Sequence, residues 1–461
     1  MNSLFSIFDM QKNFSSSSNE MSCTNLRNKL FYFLDVFDKY SKEFIKVMGE
    51  TYNQPAWDIY YNEIRLIKKE IKYFIKNIKK FRKSKILFDS FKDAILLQAK
   101  SYRQPYGSCL FLFNEILPVS KIFSLLIGSL SCGNTLFVKL PSFSIEINKV
   151  IKSIFKEVFN DNYIYFISES IPENDLKNIY DFNFDLVFFS GNSSTSKTIL
   201  RIFAPRFTKV ILDISNKNPV ILDETADLAK AAKQLIWSKM LCSGQTFQSP
   251  DFLIIHESII ESFVKHIKSE YENQFGKGEN WNNITKIDSI ENFNNIVSTL
   301  NKSLSKNRII FGGDVENDLR KIQLTLIQVD DLKSPLLSQD MKSPILPVVI
   351  FNSFSDINGI VRHNDCPSCI YFFSKNKKRI KNLLKSLESR FFSINNINIP
   401  YFKGLPHGGI KNSGNSIFSC RQSIKIFSYK RIVLKDSISF SSKYASTVEK
   451  NSKIRSKIDK L

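Results

Sequence analysis

Glycine is scarce in this chain. It supplies 15 of 461 residues, about half of ordinary usage, so any motif that needs several glycines in one turn is suspect from the outset. Histidine is scarcer still: the four at 256, 266, 363 and 407 show no metal-ligand spacing, and no metal site is expected. The seven cysteines, at 23, 109, 132, 242, 366, 369 and 420, form an odd count without a repeating framework. That excludes a disulfide-stapled small domain and favours a reducing compartment, the cytoplasm. Asp9 precedes the first lysine and no basic stretch opens the chain, so no targeting peptide is expected. Long apolar runs are missing too. The longest uncharged stretch, 122–138, is interrupted by Ser124, Gly128, Ser129, Ser131, Gly133 and Asn134, which reads as helix, turn and strand, and no transmembrane anchor is expected.

Acid is in deficit. Lys+Arg minus Asp+Glu is 65 − 44 = +21, a surplus that could hold nucleic acid or an anionic lipid surface. The lysines are dispersed, however, as at 68, 69, 72, 76, 79 and 80, without the arginine and aromatic interleaving of a binding face. A solvated surface is the expectation, with no specific nucleic-acid partner. Hydrophobic residues at 43% and charged residues at 24% describe a folded chain of two or three domains.

Residues 1–25, with Ser15 to Ser18, and the Ser- and Lys-rich residues 436–461 read as tails. Two long helices follow the first tail: Leu30, Phe33, Phe37, Phe44 and Val47 mark one, and Ile64, Ile67, Ile71, Phe74, Ile78 and Phe81 the other. From Ser108 short apolar runs alternate with helical stretches, at 109–113, 136–138, 163–167, 186–189 and 210–212. A second alternation places helices near 228–241 and 259–271 and strands at 252–255, 309–311, 348–351 and 370–373. Two α/β domains in tandem are expected.

The stretch Trp237 to Asp251, WSKMLCSGQTFQSPD, resembles the active-site segment of the aldehyde dehydrogenase superfamily, Ser-Gly-Gln-x-Cys. Other anchors agree in order. Pro105-Tyr106-Gly107 with Pro118, Gly133-Asn134 to Lys139, and Ser190-Gly191 with Lys197 are similar to the family's Pro-x-Gly and Asn-x-Pro, Gly-Asn-x-x-x-x-Lys and Thr-Gly-Ser segments. Ser343-Pro344 to Pro347, and Leu405 to Gly409 with Asn412-Ser413-Gly414, resemble its Gly-Pro-x-x-Pro segment and C-terminal Pro-Phe-Gly-Gly loop. Trp57 to Glu63 and Phe427-Ser428-Tyr429 look like the class 3 branch, which includes the fatty aldehyde dehydrogenases. The resemblance implies a Rossmann-like cofactor domain (26–98 and 110–214), an α/β catalytic domain (215–424), and oligomerisation strands (99–109 and 425–435) that build a dimer.

The family's chemistry needs a thiolate, oxyanion donors, a hydride acceptor and a carboxylate that activates water. At the nucleophile position stands Phe247, which cannot form a thiohemiacetal. Cys242 is the nearest other thiol, either a displaced nucleophile or a small residue at a helix end. Ile116 occupies the place of the oxyanion asparagine and donates nothing. Asp213, in Leu212-Asp213-Ile214-Ser215-Asn216-Lys217, keeps a carboxylate at the general-base position, one methylene short, or else pairs near a strand end. For NAD or NADP, the resemblance implies contacts at Lys139, Ser190, Gly191 and Asp340, yet the pyrophosphate turn reads Gly191-Asn192-Ser193-Ser194-Thr195-Ser196 with one glycine left. Ser142 replaces an acidic residue near the adenosine ribose, and Lys342 a phenylalanine near the nicotinamide. Cys366-Pro367-Ser368-Cys369 is either a redox pair or the entry to a buried strand.

The expectation is a family member that has lost its chemistry: a pseudoenzyme acting as a homodimeric scaffold or as partner to a paralogue, its cofactor lost with the chemistry. Two alternatives stay open, an active NAD(P)-dependent enzyme with a displaced nucleophile that oxidises an aldehyde, and a basic protein binding nucleic acid or lipid.

Overall fold

The computed structural model describes residues 2–15, 22–87, 97–214, 216–276, 281–364, 366–397, 405, 408–436 and 459. The basic tail beyond 436, apart from residue 459, lies outside the described residues, as do Ser215, Pro406 and His407.

The five apolar runs expected between 109 and 212 form one parallel sheet, in the spatial order Ile164–Phe166, Thr135–Lys139, Ser108–Phe113, Leu186–Gly191, Lys209–Ile214. Its central strand is buried along its whole length, which is why it reads as a continuous apolar run. Helices Cys23–Tyr52 and Arg65–Arg82 cover it, presenting Phe33, Phe37, Phe44, Ile67, Ile71 and Phe74 to the core. A seven-stranded sheet forms the second unit, with Pro219–Leu222 and Phe252–His256 at its centre and one antiparallel strand, Arg308–Phe311, at an edge. This is the α/β architecture expected.

The N-terminus departs from expectation. Residues 2–15 form a helix, not a tail. Phe8 is buried against Phe137 and Phe184, and the Gln11 amide donates to the carbonyls of Leu136 and Asp161. Leu4, Ile7, Phe8 and Gln11 fall on one helical face, a stripe too short to stand out beside the serine run. The next helix starts at Cys23 with Ser22 as its cap.

The arm pairs Leu97–Pro105 antiparallel with Ser428–Asp436, and Lys85–Ile86 adds a short third strand. Residues 108–109 belong to the central sheet and 425–426 to the helix Arg421–Ile426, so the arm strands are displaced from the ranges expected. Asn134 ties the arm to the core, its amide donating to the Phe427 carbonyl while its oxygen accepts from Gly107 N–H. Among the described residues no helix is long and apolar enough to cross a membrane.

Candidate functional site

The segment that carries the resemblance is a turn under strain. After the helix Leu228–Met240, Cys242, Ser243 and Gly244 all have positive φ, at 46°, 50° and 76°. Non-glycine residues there cost about 1 kcal/mol each and persist only when their surroundings over-determine them. Those surroundings are specific. Asp58 accepts from Cys242 N–H at 2.7 Å, Ser243 Oγ donates to Thr285 O, and the Gln245 amide donates to the carbonyls of Cys242 and Lys286 while accepting from Asp288 N–H. A side chain on Gly244 would meet the Ser343 carbonyl at 2.3 Å. Ser243, Gly244 and Gln245 therefore hold the backbone.

Cys242 is fully buried, and its sulfur accepts from the amides of Asn62 at 2.9 Å and Gln54 at 3.2 Å. Burial, together with the carboxylates of Asp58 and Glu63, pushes its thiol well above the usual range. This is the opposite of the electropositive, accessible setting that makes a thiol reactive. No disulfide joins Cys366 to Cys369, and the Cys366 thiol donates to the Glu388 carbonyl. Cys369 is buried at the start of its strand, and burial pushes it up to about 12.

Phe247 is held in place by its carbonyl, which accepts from the Asn218 amide at 3.0 Å. Its ring leans on Phe418, centroids 5.7 Å apart, and lies 5.3 Å from the Lys121 ammonium. Ile116 is wholly buried in the core cluster against which Phe247 packs. Lys121 is the residue that sequence reasoning missed. Its Nζ sits 2.5 Å from Asp213 Oδ2 and donates to Ser190 Oγ at 2.7 Å. Asp213 Oδ1 accepts from Ser416 Oγ at 2.7 Å. The general-base position thus has both oxygens engaged. One signal existed: Lys121 is the single charged residue in the helix Val119–Cys132, and it stands in the first turn, where the helix dipole disfavours a cation. That helix is capped from outside by the buried Glu63 carboxylate, which accepts from Val119 and Ser120 N–H.

A second pair lies alongside. Lys342 Nζ contacts Glu115 at 2.5 Å, and Glu115 is 4.0 Å from Lys121. Burial opposes both charges, yet the neighbouring ammoniums hold Glu115 below its usual range, and Glu115 with Asp340 holds Lys342 above its own.

The pairs divide the interior into compartments. An open groove of about 260 Å³ is lined by Gly191, Asn192, Asp340, Glu115 and Lys342. It adjoins a wider one of about 670 Å³ that holds Lys139 and Ser142 and shares Asn114, Asn192, Asp288 and Asn292 with the first. Behind the Glu115–Lys342 pair lies a chamber of about 10 Å³ bounded by Lys121, Asp213 and Phe247, room for one water at most. Beyond Lys121, Thr246 and Phe247 is a further cavity of about 60 Å³ with Leu66, Pro118 and Phe418 in its walls. Asp213, Ser190 and Phe247 are therefore brought together; Lys139, Gly191 and Asp340 lie along the groove on the far side of an ion pair.

A dinucleotide's fit can be read from the same residues. At the turn after Leu186–Gly191, the Asn192 side chain caps the helix Ser193–Phe203, accepting from Thr195 N–H and Ser194 Oγ at 2.9 Å. One backbone donor at this helix start, Thr195 N–H, is thus taken up by the chain's own side chain. The groove beside Lys139 is open, whereas the chamber at Asp213, about 10 Å³, has no room for a nicotinamide ring.

Residues 9–433 match the model of the aldehyde dehydrogenase family. Among curated relatives, the chain is 26% identical over 396 residues to 4,4'-diaponeurosporen-aldehyde dehydrogenase of Staphylococcus aureus, covering 85% of each chain. It is 23% identical to the dimeric NADP-preferring aldehyde dehydrogenase of Canis lupus familiaris, covering 86% of each. Among solved structures, substrate-bound Staphylococcus aureus AldH superposes with a TM-score of 0.88 at 23% identity over 95% of both chains, a likeness of fold.

Proposed function

The chain belongs to the aldehyde dehydrogenase family, and from that premise we propose that it is a pseudoenzyme, a dimeric cytoplasmic scaffold that no longer performs the family's NAD(P)-dependent oxidation of aldehydes. The observation that carries this reading is the pairing of Lys121 with Asp213 beside Phe247. A hydride-transferring site needs a nucleophile, an oxyanion donor and a base open to water. Here the first is an aromatic ring, the second is aliphatic, and the third is bound to a cation. Loss of a nucleophile alone lowers turnover by roughly a millionfold in other enzymes.

The arm supports the dimer. Ser428–Asp436 is an edge strand that exposes Ile432 and Leu434, and an unpaired apolar edge is an aggregation hazard unless a second copy or a paralogue covers it. Seven cysteines, an odd count without a repeating framework, fit a reducing compartment.

The test is steady-state turnover of the purified chain with short- and long-chain aldehydes and either NAD or NADP, alongside sedimentation of the same sample. The expected outcome is a dimer with no reduced cofactor formed above background. Steady turnover abolished by Cys242→Ala would replace the reading with a displaced-nucleophile enzyme.

A further inference from the structure

We infer that Lys121 captures a short aliphatic aldehyde as a reversible iminium, in the place where a thiol is missing. The inference rests on the proposed reading that the cavity beside Phe247 leads to a site without dehydrogenase chemistry, and it adds a chemistry the family reaction does not use.

Position comes first. Lys121 forms part of the wall between the chamber containing Asp213 and the 60 Å³ cavity, together with Thr246 and Phe247. That cavity has apolar walls at Leu66, Pro118 and Phe418, with Asn62, Lys69, Glu70 and Ser124 among the polar groups around them, a lining that can hold a short alkyl chain and bind one carbonyl. The amine is also equipped for proton movement. With Asp213 Oδ2 at 2.5 Å and Ser190 Oγ at 2.7 Å, the ammonium can pass a proton to the carboxylate as the carbonyl carbon approaches.

The nitrogen lone pair then forms the C–N bond, and the carbonyl oxygen takes one of the two protons left on that nitrogen. The resulting carbinolamine expels that oxygen as water, with Asp213 returning the proton it held. In sum, R–CHO and Lys–NH3⁺ give R–CH=NH⁺–Lys and H2O, with no oxidant or reductant. The iminium carries the same positive charge as the starting ammonium, so Asp213 regains its counter-ion when it returns its proton, in a site where an unpaired charge would be costly. The cation also stays near the Phe247 ring, 5.3 Å from the present ammonium. The chamber on the Asp213 side, at about 10 Å³, leaves little room for the water that would reverse the step.

The experiment is reductive trapping of the full chain with a limiting amount of butanal and cyanoborohydride, followed by peptide mapping. Labelling is expected at Lys121 about tenfold above any exposed lysine, since the bound carbonyl and amine are held together. Lys121→Arg keeps the cation but cannot form the adduct, and should lose the label while retaining the unfolding midpoint. Phe247→Ala, which widens the approach, should raise labelling at Lys121 and does not depend on that variant folding. Label spread evenly over surface lysines, placed on the neighbouring Lys69, or confined to the Phe247→Ala variant would overturn the inference. Absence of both adduct and turnover removes the iminium and leaves the pseudoenzyme reading standing; turnover with NAD or NADP removes that reading by itself.

Discussion

Two loops meet the ends of the neighbouring strands Leu186–Gly191 and Lys209–Ile214, and they use glycine in opposite ways. The loop 408–416 has Gly408, Gly409 and Gly414, each where a Cβ would run into backbone. Gly414, at φ 98°, forms a bridge with Asp213, and a Cβ on it would stand 2.2 Å from the Leu212 carbonyl. The turn 191–196 keeps one glycine and fills the rest with Asn192, Ser193, Ser194, Thr195 and Ser196, closing its helix end with its own side chain. Glycine stands where this chain's backbone leaves no room for a side chain, and polar side chains fill the turn whose backbone leaves room for them. The same division separates Glu63, which caps a core helix, from Asp213, which faces Lys121 instead of a water.

If the site has become scaffold, breaking it should cost stability as breaking scaffold does. Lys121→Met leaves Asp213 buried and unpaired, and should destabilise by about 3–5 kcal/mol, whereas Lys121→Met with Asp213→Leu should recover most of that loss. Denaturant titration of the single and double variants measures both. On the scaffold side, burial pushes Glu63 up to about 8 and Asp58 up to about 6. Between their usual range and those values the unfolded chain releases protons that the folded chain retains, so the contribution of these two groups is full at low pH and declines as pH rises toward 8. The decline should amount to a few kcal/mol, on the order set by about 1.4 kcal/mol per unit, and Glu63→Gln should flatten most of it in unfolding curves taken from pH 5 to 8.

Smaller effects sharpen the contrast between the loops. Gly414→Ala should cost about 2 kcal/mol or more, because both its φ and its space forbid a side chain. In the other loop, Asn192→Ala should cost about 1 kcal/mol as a lost helix cap, and Asn192→Gly a few tenths. Equal losses at Gly414 and Asn192 in thermal unfolding would erase the distinction.

The frame of this molecule was legible in its sequence because apolar periodicity and ordered anchors are local signals. The five strands of the first sheet, the two covering helices and the Ser243–Gln245 turn all announce themselves within a few residues. The site was legible only as absences: Phe247, Ile116 and the broken glycine turn. The ion pairs around Asp213 were not, because Lys121 with Asp213 and Glu115 with Lys342 are partners across 92 and 227 residues of chain, and no local pattern marks a pair. The role of Cys242 was hidden for the same reason, since Gln54, Asp58 and Asn62 that enclose it come from the N-terminal unit.

If the ion pairs around Asp213 hold the proposed pseudoenzyme's site shut, restoring one group does not restore function. The decisive measurement is a steady-state assay of Phe247→Cys with butanal or a long-chain aldehyde and NAD or NADP. No reduced cofactor is expected above the level of the unmodified chain, because Ile116 still offers no oxyanion donor and Lys121 still holds Asp213. Sustained turnover from that single substitution, proportional to enzyme and abolished by thiol alkylation, would contradict it.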